Sequence, residues 1–375
     1  MIRPATLDDL DALVAIETRC FDIDRLSRRS FRHLLTRGQA VTLVSEQDQK
    51  LSGYGMVLFN AGTSLGRLYS FAIDPGRQRQ GLGHRLLEAC EKNALARECV
   101  TLRLEVRPDN AAAIRLYEAR GYRRFGVLED YYEDHVEALR YEKRLAPHLK
   151  PDLVPVPYYK QTLDFTCGPA VLMMAMKALR PEQANNRKLE LRLWRESTTV
   201  FMTSGHGGCG PYGMALAAWQ RGFDVEVYVK DRRALFVDSV RSLDKKVVIE
   251  LVQEDFLDQL RALPVPLHRG TVSLDQLQVA FEDGGIPIVL ISSYRIYREK
   301  FPHWVVVTGF DEHYIYVHDP FVDDEAGKTR MDCINMPILK KDFQRMARYG
   351  KAGQRAALVI RRRAQANELT AATGT

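Results

Sequence analysis

A cysteine stands at the start of an apolar run in QTLDFTCGPAVLMMAMKAL, residues 161–179. Pro169 just inside the run and Pro181 just after it predict a helix that begins at Cys167 and ends at Leu179. The helix dipole and the unpaired amides of a first turn favour the thiolate form of a cysteine placed there. Cys167 therefore has two interpretations, a reactive nucleophile or a small buried residue without chemistry.

A cysteine nucleophile also needs a base and a group that orients the base, and HWVVVTGFDEHYIYVHDP, residues 303–320, offers both. The alternation on both sides of Asp311 predicts two strands joined by a turn. His303 and Asp319 are equally far from Asp311, so a hairpin centred there places them opposite each other, with Cβ atoms about 5 Å apart. Taken singly, His303 can begin an ordinary strand and Asp319 can cap a turn before Pro320.

A second cysteine competes with Cys167. SGHGGCGPYGMALAAWQRGF, residues 204–223, repeats the Cys-Gly-Pro start before a helix that Gly222 closes. Helix-dipole reasoning alone does not separate Cys209 from Cys167. His206 and Cys209 are too few ligands for a zinc site, and a glycine-rich turn is the simpler interpretation of this loop.

The first half of the chain carries a glycine-rich loop between a strand and a helix, in AIDPGRQRQGLGHRLLEACEKNAL, residues 72–95. Gly76, Gly81 and Gly83 let the backbone approach a ligand, and the first helical turn points free amides at it, which is typical of an anion-binding site. The loop lacks the GK[ST] of a P-loop and the GxGxxG of a dinucleotide fold, so neither ATP nor NAD is favoured. A tight strand-to-helix turn is the simpler interpretation.

Strands and helices alternate around this loop. An opening strand and a helix with a capping box at Thr6 and Asp9 precede strands in AVTLVSE, LSGYGMVLF and RLYSFAIDP. A helix over about residues 81–97, the strand TLRLEV (residues 101–106) and a helix over about residues 111–120 follow. The alternation predicts an α/β fold with a mixed sheet covered by helices.

The order of these motifs is that of a known family. QRQGLG after FAIDP, followed further along by LEVRPDNAAAIRLYEARGYRRFG, resembles the GNAT acetyltransferases over nearly all of residues 1–145. The closest subgroup acetylates protein N-termini, the ribosomal-protein-alanine (RimI) type. The resemblance implies a GNAT mixed sheet with flanking helices and acetyl-CoA as cofactor, its pyrophosphate bound by Gln78, Gly81 and Gly83. The other cofactor-binding positions that it implies are Phe71, Ile73, Arg79, Gln80, Leu82 and Asn110, the last at a helix N-cap.

The same resemblance implies the catalytic groups. An amine that attacks a thioester must lose a proton, and the departing thiolate benefits from receiving one. Glu105 alternates with the apolar residues of its strand and therefore lies on the opposite face. By resemblance Glu105 is the base, acting through a water molecule, and Tyr117 is the acid. A surface salt bridge for Glu105 and core packing against Ile114 for Tyr117 are the alternatives.

The second half resembles another family. Q-x5-CGPA, HWVVVTGFD and VHDP are similar to motifs of the papain-like peptidases that process bacteriocin precursors after a double-glycine leader, over roughly residues 155–362. Thr166 departs from the family, which typically has aspartate there, and this concerns the choice of substrate more than the chemistry. By this resemblance, Cys167 is the nucleophile and His303 the base. Asp319 is the orienting group, and Gln161 is an oxyanion-hole donor.

Composition sets limits on the whole chain. Its 375 residues exceed one ordinary core, and the prolines of APHLKPDLVPVPYY predict a stiff linker. The six cysteines are scattered without a CxxC pair, which disfavours a disulfide framework or a structural zinc site and indicates reduced thiols. We expect four segments: a GNAT domain at 1–147, a linker at 148–157, a papain-like peptidase domain of α+β class at 158–363 and a disordered tail at 364–375.

The charge and the hydropathy pattern bear on partners. The net charge of +6 lies in short clusters rather than in a stripe with interleaved aromatics, which disfavours a nucleic-acid surface. No apolar run approaches the length of a membrane span, and the chain starts with a folded pattern rather than a leader, so we expect a cytoplasmic protein without membrane contact.

Together the motifs predict a bifunctional enzyme. One half is an acetyl-CoA-dependent N-acetyltransferase for a peptide or protein amine, and the other is a cysteine peptidase, joined for peptide maturation. The alternative is an acetyltransferase with a peptide-binding module in which Cys167 is unreactive. A nucleic-acid-binding role ranks third.

Overall fold

The computed structural model describes residues 1–36, 39–198, 207–237, 240–325 and 328–363. The chain forms two compact units, Met1–Leu149 and Lys150–Thr375, and the division falls within the stretch predicted as a linker. His206 and the predicted tail at 364–375 lie outside the described residues. In the described part of the chain, no helix is both long and apolar enough to cross a membrane.

The elements that the sequence predicts for the first unit appear in the predicted order, and a further helix (Arg28–Thr36) and two further strands (Arg123–Leu128 and Ala138–Arg144) are present. The predicted strand TLRLEV is observed over its full length, and the predicted helices agree to within one residue at each end. The elements are β1 (Ile2–Pro4), α1 (Leu10–Cys20), α2 (Arg28–Thr36), β2 (Ala40–Gln47), β3 (Lys50–Phe59), β4 (Leu65–Ile73), α3 (Leu82–Ala96), β5 (Thr101–Val106), α4 (Ala111–Ala119), β6 (Arg123–Leu128) and β7 (Ala138–Arg144).

These strands form one mixed sheet in the order β1-β2-β3-β4-β5-β7-β6, in which only the β4–β5 pair is parallel. The parallel pairing ends at Leu68 opposite Leu104. Beyond that point β4 continues to Ile73 beside β3, whereas Glu105 of β5 pairs with Arg140 of β7. The two central strands therefore separate, and a cleft opens between them.

The sheet of the first unit is covered on both faces. Leu102, Leu104 and Val106 of β5 pack into one apolar cluster with Leu86 and Leu87 of α3, as the strand alternation predicts. On the other face, α1 and α2 pack against β2 and β3 in a second cluster. Burial of each large apolar side chain contributes about 1.5–3 kcal/mol, so the two clusters hold the helices that flank the cleft.

The second unit is built on a mainly antiparallel sheet. Among its described strands, one pair is parallel, Phe223–Val229 (β9) with Leu267–Arg269 (β10). The order is β10-β9-β15-β11-β12-β13-β14, and β8 pairs with β12. The elements are β8 (Asp152–Leu153), α5 (Cys167–Leu179), α6 (Arg187–Ser197), α7 (Pro211–Gln220), β9 (Phe223–Val229), α8 (Leu243–Arg261), β10 (Leu267–Arg269), α9 (Leu274–Glu282), β11 (Ile286–Ser292), α10 (Tyr294–Tyr297), β12 (Pro302–Phe310), β13 (Tyr314–His318), β14 (Met336–Leu339), α11 (Lys340–Met346) and β15 (Ala356–Arg362).

Two apolar clusters lie on the two faces of this sheet. Alternate residues of β11 divide between them, with Ile288 and Leu290 facing the cluster of α5 and α7, and Val289 and Ile291 facing the cluster of α9 and α11. Residues 167–176 of α5 are all buried. A helix that is apolar all round belongs in an interior, so the sequence of α5 accounts for its central place.

Part of the predicted linker packs on the second unit. Asp152 and Leu153 form β8 beside Gly309 and Phe310 of β12, and Val156 is buried in the α5 cluster. A Cβ atom at Gly309 would lie 2.3 Å from the Asp152 carbonyl oxygen, so glycine is required for this approach. Residues 152–156 are therefore part of the folded second unit.

Candidate functional sites

The glycine loop of the first unit is open to solvent at the start of α3. Gly81 has φ 73°, a left-handed conformation that suits glycine, and a Cβ atom there would meet nothing within 4 Å. The Arg85 N–H donates the first helical hydrogen bond to the Gly81 carbonyl oxygen, so the preceding amides of the turn have no partner within the helix. An exposed turn with free amides beside the β4–β5 cleft fits the pyrophosphate of acetyl-CoA.

The other predicted cofactor positions surround this loop or line the cleft. Phe71 and Ile73 are half-buried and lie on the part of β4 that no longer pairs with β5. Gln78 donates from Nε2 to the Ile73 carbonyl oxygen (3.3 Å), and Asn110 caps α4 by accepting from the Ala113 N–H (3.1 Å). Arg79, Gln80 and Gly81 are exposed, Gly83 is half-buried and Leu82 is buried in the unit.

Glu105 is held by two arginines rather than standing alone in the cleft. Its Oε2 accepts from Arg67 Nε at 2.8 Å, its Oε1 accepts from Arg140, and all three side chains are buried. Arg67 also donates to the hydroxyl of Tyr131 (2.8 Å). The alternative interpretation of Glu105 is a surface salt bridge, but the two observed ion pairs are buried and connect β5 to β4 and to β7. A water that serves Glu105 must use a lone pair that the arginines leave free.

Tyr117 lies in the apolar cluster under the sheet. Its side chain is buried, and its ring centroid is 5.7 Å from that of Tyr122. Burial, with a smaller contribution from Cys90, raises the pKa of Tyr117 above its usual range. The packing alternative therefore describes the surroundings of Tyr117, and the same burial keeps the phenol in the protonated form that a general acid needs.

The second unit brings Cys167, His303 and Asp319 together. Cys167 is the first residue of α5, as predicted, and its thiol contacts the His303 ring. His303 Nε2 donates to Asp319 Oδ1 at 2.6 Å in a buried site. Because Nε2 faces the carboxylate, Nδ1 is the ring nitrogen left for the thiol. The side chains predicted as nucleophile, base and orienting group therefore lie together in one site.

The hairpin register predicted for this site is wrong, although the contact is present. Val306 pairs with His318, so Asp319 follows opposite Val305 rather than opposite His303. The turn is centred between Glu312 and His313 rather than at Asp311, since Phe310 pairs with Ile315. A bulge between Val307 and Gly309 then reduces the resulting offset by one residue. The error is two residues, which keeps both side chains on the same face, and a diagonal pair of this kind is within reach of a histidine.

Asp319 has further partners that the sequence does not reveal. Tyr297 Oη donates to Asp319 Oδ2 (2.7 Å), and the Phe321 N–H donates to Oδ1 (2.9 Å). Burial would raise the pKa of Asp319, but the charge and hydrogen bond of His303, followed by these donors, lower it. The carboxylate is therefore anionic when it holds the His303 ring.

The pKa of His303 shifts in the opposite direction to that of Asp319. Burial by itself would lower the pKa of His303, but the Asp319 charge and hydrogen bond, together with Cys167, outweigh it and raise the pKa to about 10. The site therefore favours an imidazolium at neutral pH. An imidazolium beside a sulfur stabilises the thiolate form of a cysteine, which is the nucleophilic form.

The loop before Cys167 is organised by a buried glutamate that the sequence analysis missed. Glu190 of α6 accepts from the Thr162 N–H (2.8 Å), from the Thr166 hydroxyl (2.5 Å) and from the Tyr159 hydroxyl (3.0 Å). Glu190 is fully buried. An acidic residue on the apolar side of a helix was the available signal. Since Thr166 directly precedes Cys167, this carboxylate helps to set the position of Cys167.

Gln161 lies in the same loop but is occupied locally. Its Nε2 donates to the Leu163 carbonyl oxygen (2.9 Å), while its backbone N–H donates to the Pro320 carbonyl oxygen (2.9 Å). The second bond ties the loop to the residue that follows Asp319. A role for Gln161 in an oxyanion hole stays a prediction.

The structure distinguishes the two cysteines that are candidates for the nucleophile. Cys209 precedes the N-cap Gly210 of α7, so it lies outside the helix, whereas Cys167 is inside the first turn of α5. Burial, and then the nearby Cys167, raise the pKa of Cys209 well above its usual range. Its carbonyl oxygen accepts from Trp304 Nε1 (3.0 Å), which fixes the turn. Cys209 is thus a packing residue beside the nucleophile candidate.

Comparison with known proteins gives relatives of the first unit. It is similar to the [ribosomal protein bS18]-alanine N-acetyltransferases of Salmonella typhimurium, 44% identical over 75 residues (19% of this chain, 51% of the relative), and of Escherichia coli, 48% over 65 residues (17% and 44%). The chain spans about half the length of these curated relatives. The crystal structure of the Escherichia coli ribosomal-protein-S18-alanine N-acetyltransferase is 30% identical, over 39% of this chain and 93% of that chain, with a TM-score of 0.36.

Two family profiles match the chain. Residues 10–122 match the Acetyltransferase (GNAT) family, whose members use acetyl-CoA, so the expected fold class and cofactor are confirmed. Residues 156–361 match the Peptidase_C39 like family. Because the second match covers more than half of the 375 residues, the chain belongs to the Peptidase_C39 like family.

Proposed function

We propose that the chain is a bifunctional enzyme that cleaves a peptide with Cys167 and acetylates a peptide or protein α-amine in its first unit. The single observation that carries the peptidase half is the buried 2.6 Å hydrogen bond from His303 Nε2 to Asp319 Oδ1 in a site that also contains Cys167. The acetyltransferase half is supported by the exposed Gly81 turn beside the β4–β5 cleft and by the family match.

In acetyl transfer, the cofactor supplies the acetyl group as a thioester. The first-turn amides of α3 bind its pyrophosphate oxygens, as the open turn at Gly81 allows. Glu105 accepts the proton of the attacking amine through a water molecule, and Tyr117 gives a proton to the departing sulfur. The C–N bond forms as the C–S bond breaks, so one proton is taken up and one is released.

In peptide cleavage, the Cys167 thiolate attacks the carbonyl carbon, and His303 gives its proton to the leaving amine. Water then hydrolyses the thioester, with His303 taking the proton of the water, and the acid product leaves. Asp319 keeps the imidazole oriented through both steps. Gln161 contributes to the oxyanion hole if its amide exchanges the Leu163 carbonyl oxygen for the substrate oxygen.

The two chemistries meet at a peptide N-terminus. Cleavage creates a new α-amine, and an acetyltransferase similar to enzymes named for N-terminal alanine acetylation is suited to such an amine. We therefore place both activities in peptide maturation, with the [ribosomal protein bS18] type of acceptor as the class to try first.

The test is incubation of the full chain with acetyl-CoA and a peptide library, with mass spectrometry of all products. We expect shortened peptides and acetylated N-termini among them. Cleavage products that always keep a free amine contradict the coupling. Acetylation without scission of any peptide, together with an unreactive Cys167, contradicts the peptidase half and supports the alternative of a peptide-binding module.

A further inference from the structure

A cavity of about 400 Å³ lies between α9, α11 and the start of β15 in the second unit. Its apolar wall belongs to the sheet face opposite to α5, because Leu277, Val289 and Phe343 are members of the α9–α11 cluster. The cavity is therefore separate from the site of Cys167. Its lining includes Leu277, Val289, Phe343, Arg348 and Arg355.

Two arginines line this cavity without an acidic partner. Within the described ranges, neither Arg348 nor Arg355 makes an ion pair or a side-chain hydrogen bond. Burial, and then the positive charge of Arg348, lower the pKa of Arg355. Two like charges at one cavity repel each other, and nothing among the described side chains compensates them.

Some arginines near the cavity are paired with acids. Arg295 and Arg345 share the carboxylate of Asp342 at 3.1 and 3.2 Å. Arg361 of β15 forms an ion pair with Glu226 of β9, and Arg363, just after β15, forms one with Asp224. Arg348, which is exposed, and Arg355, which is half-buried, line the cavity and take no part in these pairings.

The rest of the lining selects for an apolar group. Leu277, Val289 and Phe343 are each at most 3% exposed and form the inner wall. A cavity with a mainly apolar wall and a few charged groups at one side is the usual form of a small-molecule site. Guanidinium groups bind carboxylates through paired N–H donors, which the flexible, uncompensated arginines can supply.

We propose that this cavity binds a small organic carboxylate that carries an apolar group, with the carboxylate on Arg348 and Arg355 and the apolar group against Leu277 and Phe343. The C-terminal residue of a peptide and a free amphipathic acid share this chemistry. The proposal does not depend on either catalytic activity.

The test uses ligand-detected NMR titration of the full chain with N-acetyl-L-phenylalanine, with its amide, and with a short peptide that ends in phenylalanine. We expect the acid to bind at millimolar concentration or below and the amide to bind at least about tenfold more weakly, since it lacks the charge. Binding by the peptide identifies a C-terminus as the source, and binding by the acid alone identifies a free small acid.

Variants assign the site within the chain. Arg348→Gln and Arg355→Gln should each weaken binding of the acid by about five- to tenfold. Arg345→Gln, an exposed arginine outside the lining, is the matched control and should leave binding unchanged. Equal affinity for acid and amide, no binding of the acid at millimolar concentration, or an unchanged affinity in folded Arg355→Gln overturns the proposal. Tryptophan fluorescence verifies folding, because all three tryptophans belong to the second unit.

Discussion

His303 Nε2 lies 2.6 Å from Asp319 Oδ1, although the strand register places Asp319 one residue beyond the Val306–His318 pair rather than opposite His303. The contact is therefore a diagonal one, and it is secured by Tyr297 and the Phe321 N–H on the carboxylate. This geometry makes the pair sensitive to the segment after β13 as well as to the hairpin itself.

Cys167 and Cys209 should differ in reactivity. Iodoacetamide at mildly acidic pH should label Cys167 quickly and Cys209 slowly, because an imidazolium faces the first thiol, whereas burial raises the pKa of the second. Peptide mapping by mass spectrometry identifies the labelled residue. Cys167→Ser should abolish cleavage, and Cys209→Ser should leave most of it. Rapid labelling of Cys209 instead would reverse the assignment.

Stability of the second unit should depend on pH through the His303–Asp319 pair. The pKa of His303 is raised from 6.5 to about 10, so its contribution is complete below pH 6.5 and is lost as pH rises toward 10. The pKa of Asp319 is lowered from 3.8, so its contribution is present above that value and is lost as pH falls further. Urea unfolding followed by tryptophan fluorescence should therefore show a decline between pH 6.5 and 10.

Asp319→Asn should flatten that decline, because the charge that raises the pKa of His303 is removed. It should also lower the cleavage rate by about 10²- to 10⁴-fold, since the imidazole loses its orienting carboxylate. Asp324→Asn is the control, because Asp324 is an exposed acid near in sequence that pairs with Lys160. A variant that keeps the full pH dependence of unfolding contradicts the role assigned to Asp319.

Glu190→Gln should impair cleavage without any contact between Glu190 and the substrate. Replacing one carboxylate oxygen by an NH₂ group sets a donor against the donors of Thr162, Thr166 or Tyr159, at a cost of about 1–3 kcal/mol. We expect a lower unfolding free energy and at least about a tenfold slower cleavage. Glu196→Gln, on the same helix and paired with Arg221, should change neither by a comparable amount.

Tyr117→Phe should slow acetyl transfer with little change in stability. Only the hydroxyl is removed, and the apolar packing of the ring in its cluster is kept. A general acid contributes about 10²- to 10⁴-fold, and a fall in that range should be seen in the rate of coenzyme A release. Tyr122→Phe, the buried neighbour at 5.7 Å, is the matched control. An equal loss in both variants indicates a packing effect rather than proton donation.

Gly81→Ala should weaken acetyl-CoA binding. The residue has φ 73° in open space, so an added Cβ strains the backbone by about 1–2 kcal/mol without a clash. Gly121→Ala provides the control, because Gly121 has φ 87° and is equally open but lies after α4, away from the loop. Both variants should lose similar stability in thermal unfolding, whereas only Gly81→Ala should raise KM for acetyl-CoA. A raised KM in both contradicts the loop assignment.

Local patterns in the sequence predict much of what carries these sites. Proline and glycine positions predict where α3 and α5 begin, because these residues restrict the backbone without help from distant residues. Strand alternation predicts the face of Glu105, since successive side chains point to opposite sides of a sheet. The short motifs predict both families, and the profile matches bear out the GNAT family with its cofactor and a Peptidase_C39 like second half. Papain-like peptidase activity remains a prediction. The roles of the individual site residues remain predictions.

Tertiary structure decided what depends on residues far apart in the chain. The position of the turn and the bulge between Val307 and Gly309 together set the hairpin register, and the arginines of β4 and β7 determined the surroundings of Glu105. Position distinguished Cys209 from Cys167 although both begin the same tripeptide, because Cys209 precedes the N-cap of α7, whereas Cys167 lies in the first turn of α5 beside His303. Glu190 reaches the loop before Cys167 only because α6 packs beside it. Burial, register and charge pairing are set by the packing of distant segments, and local patterns contain no direct record of that packing.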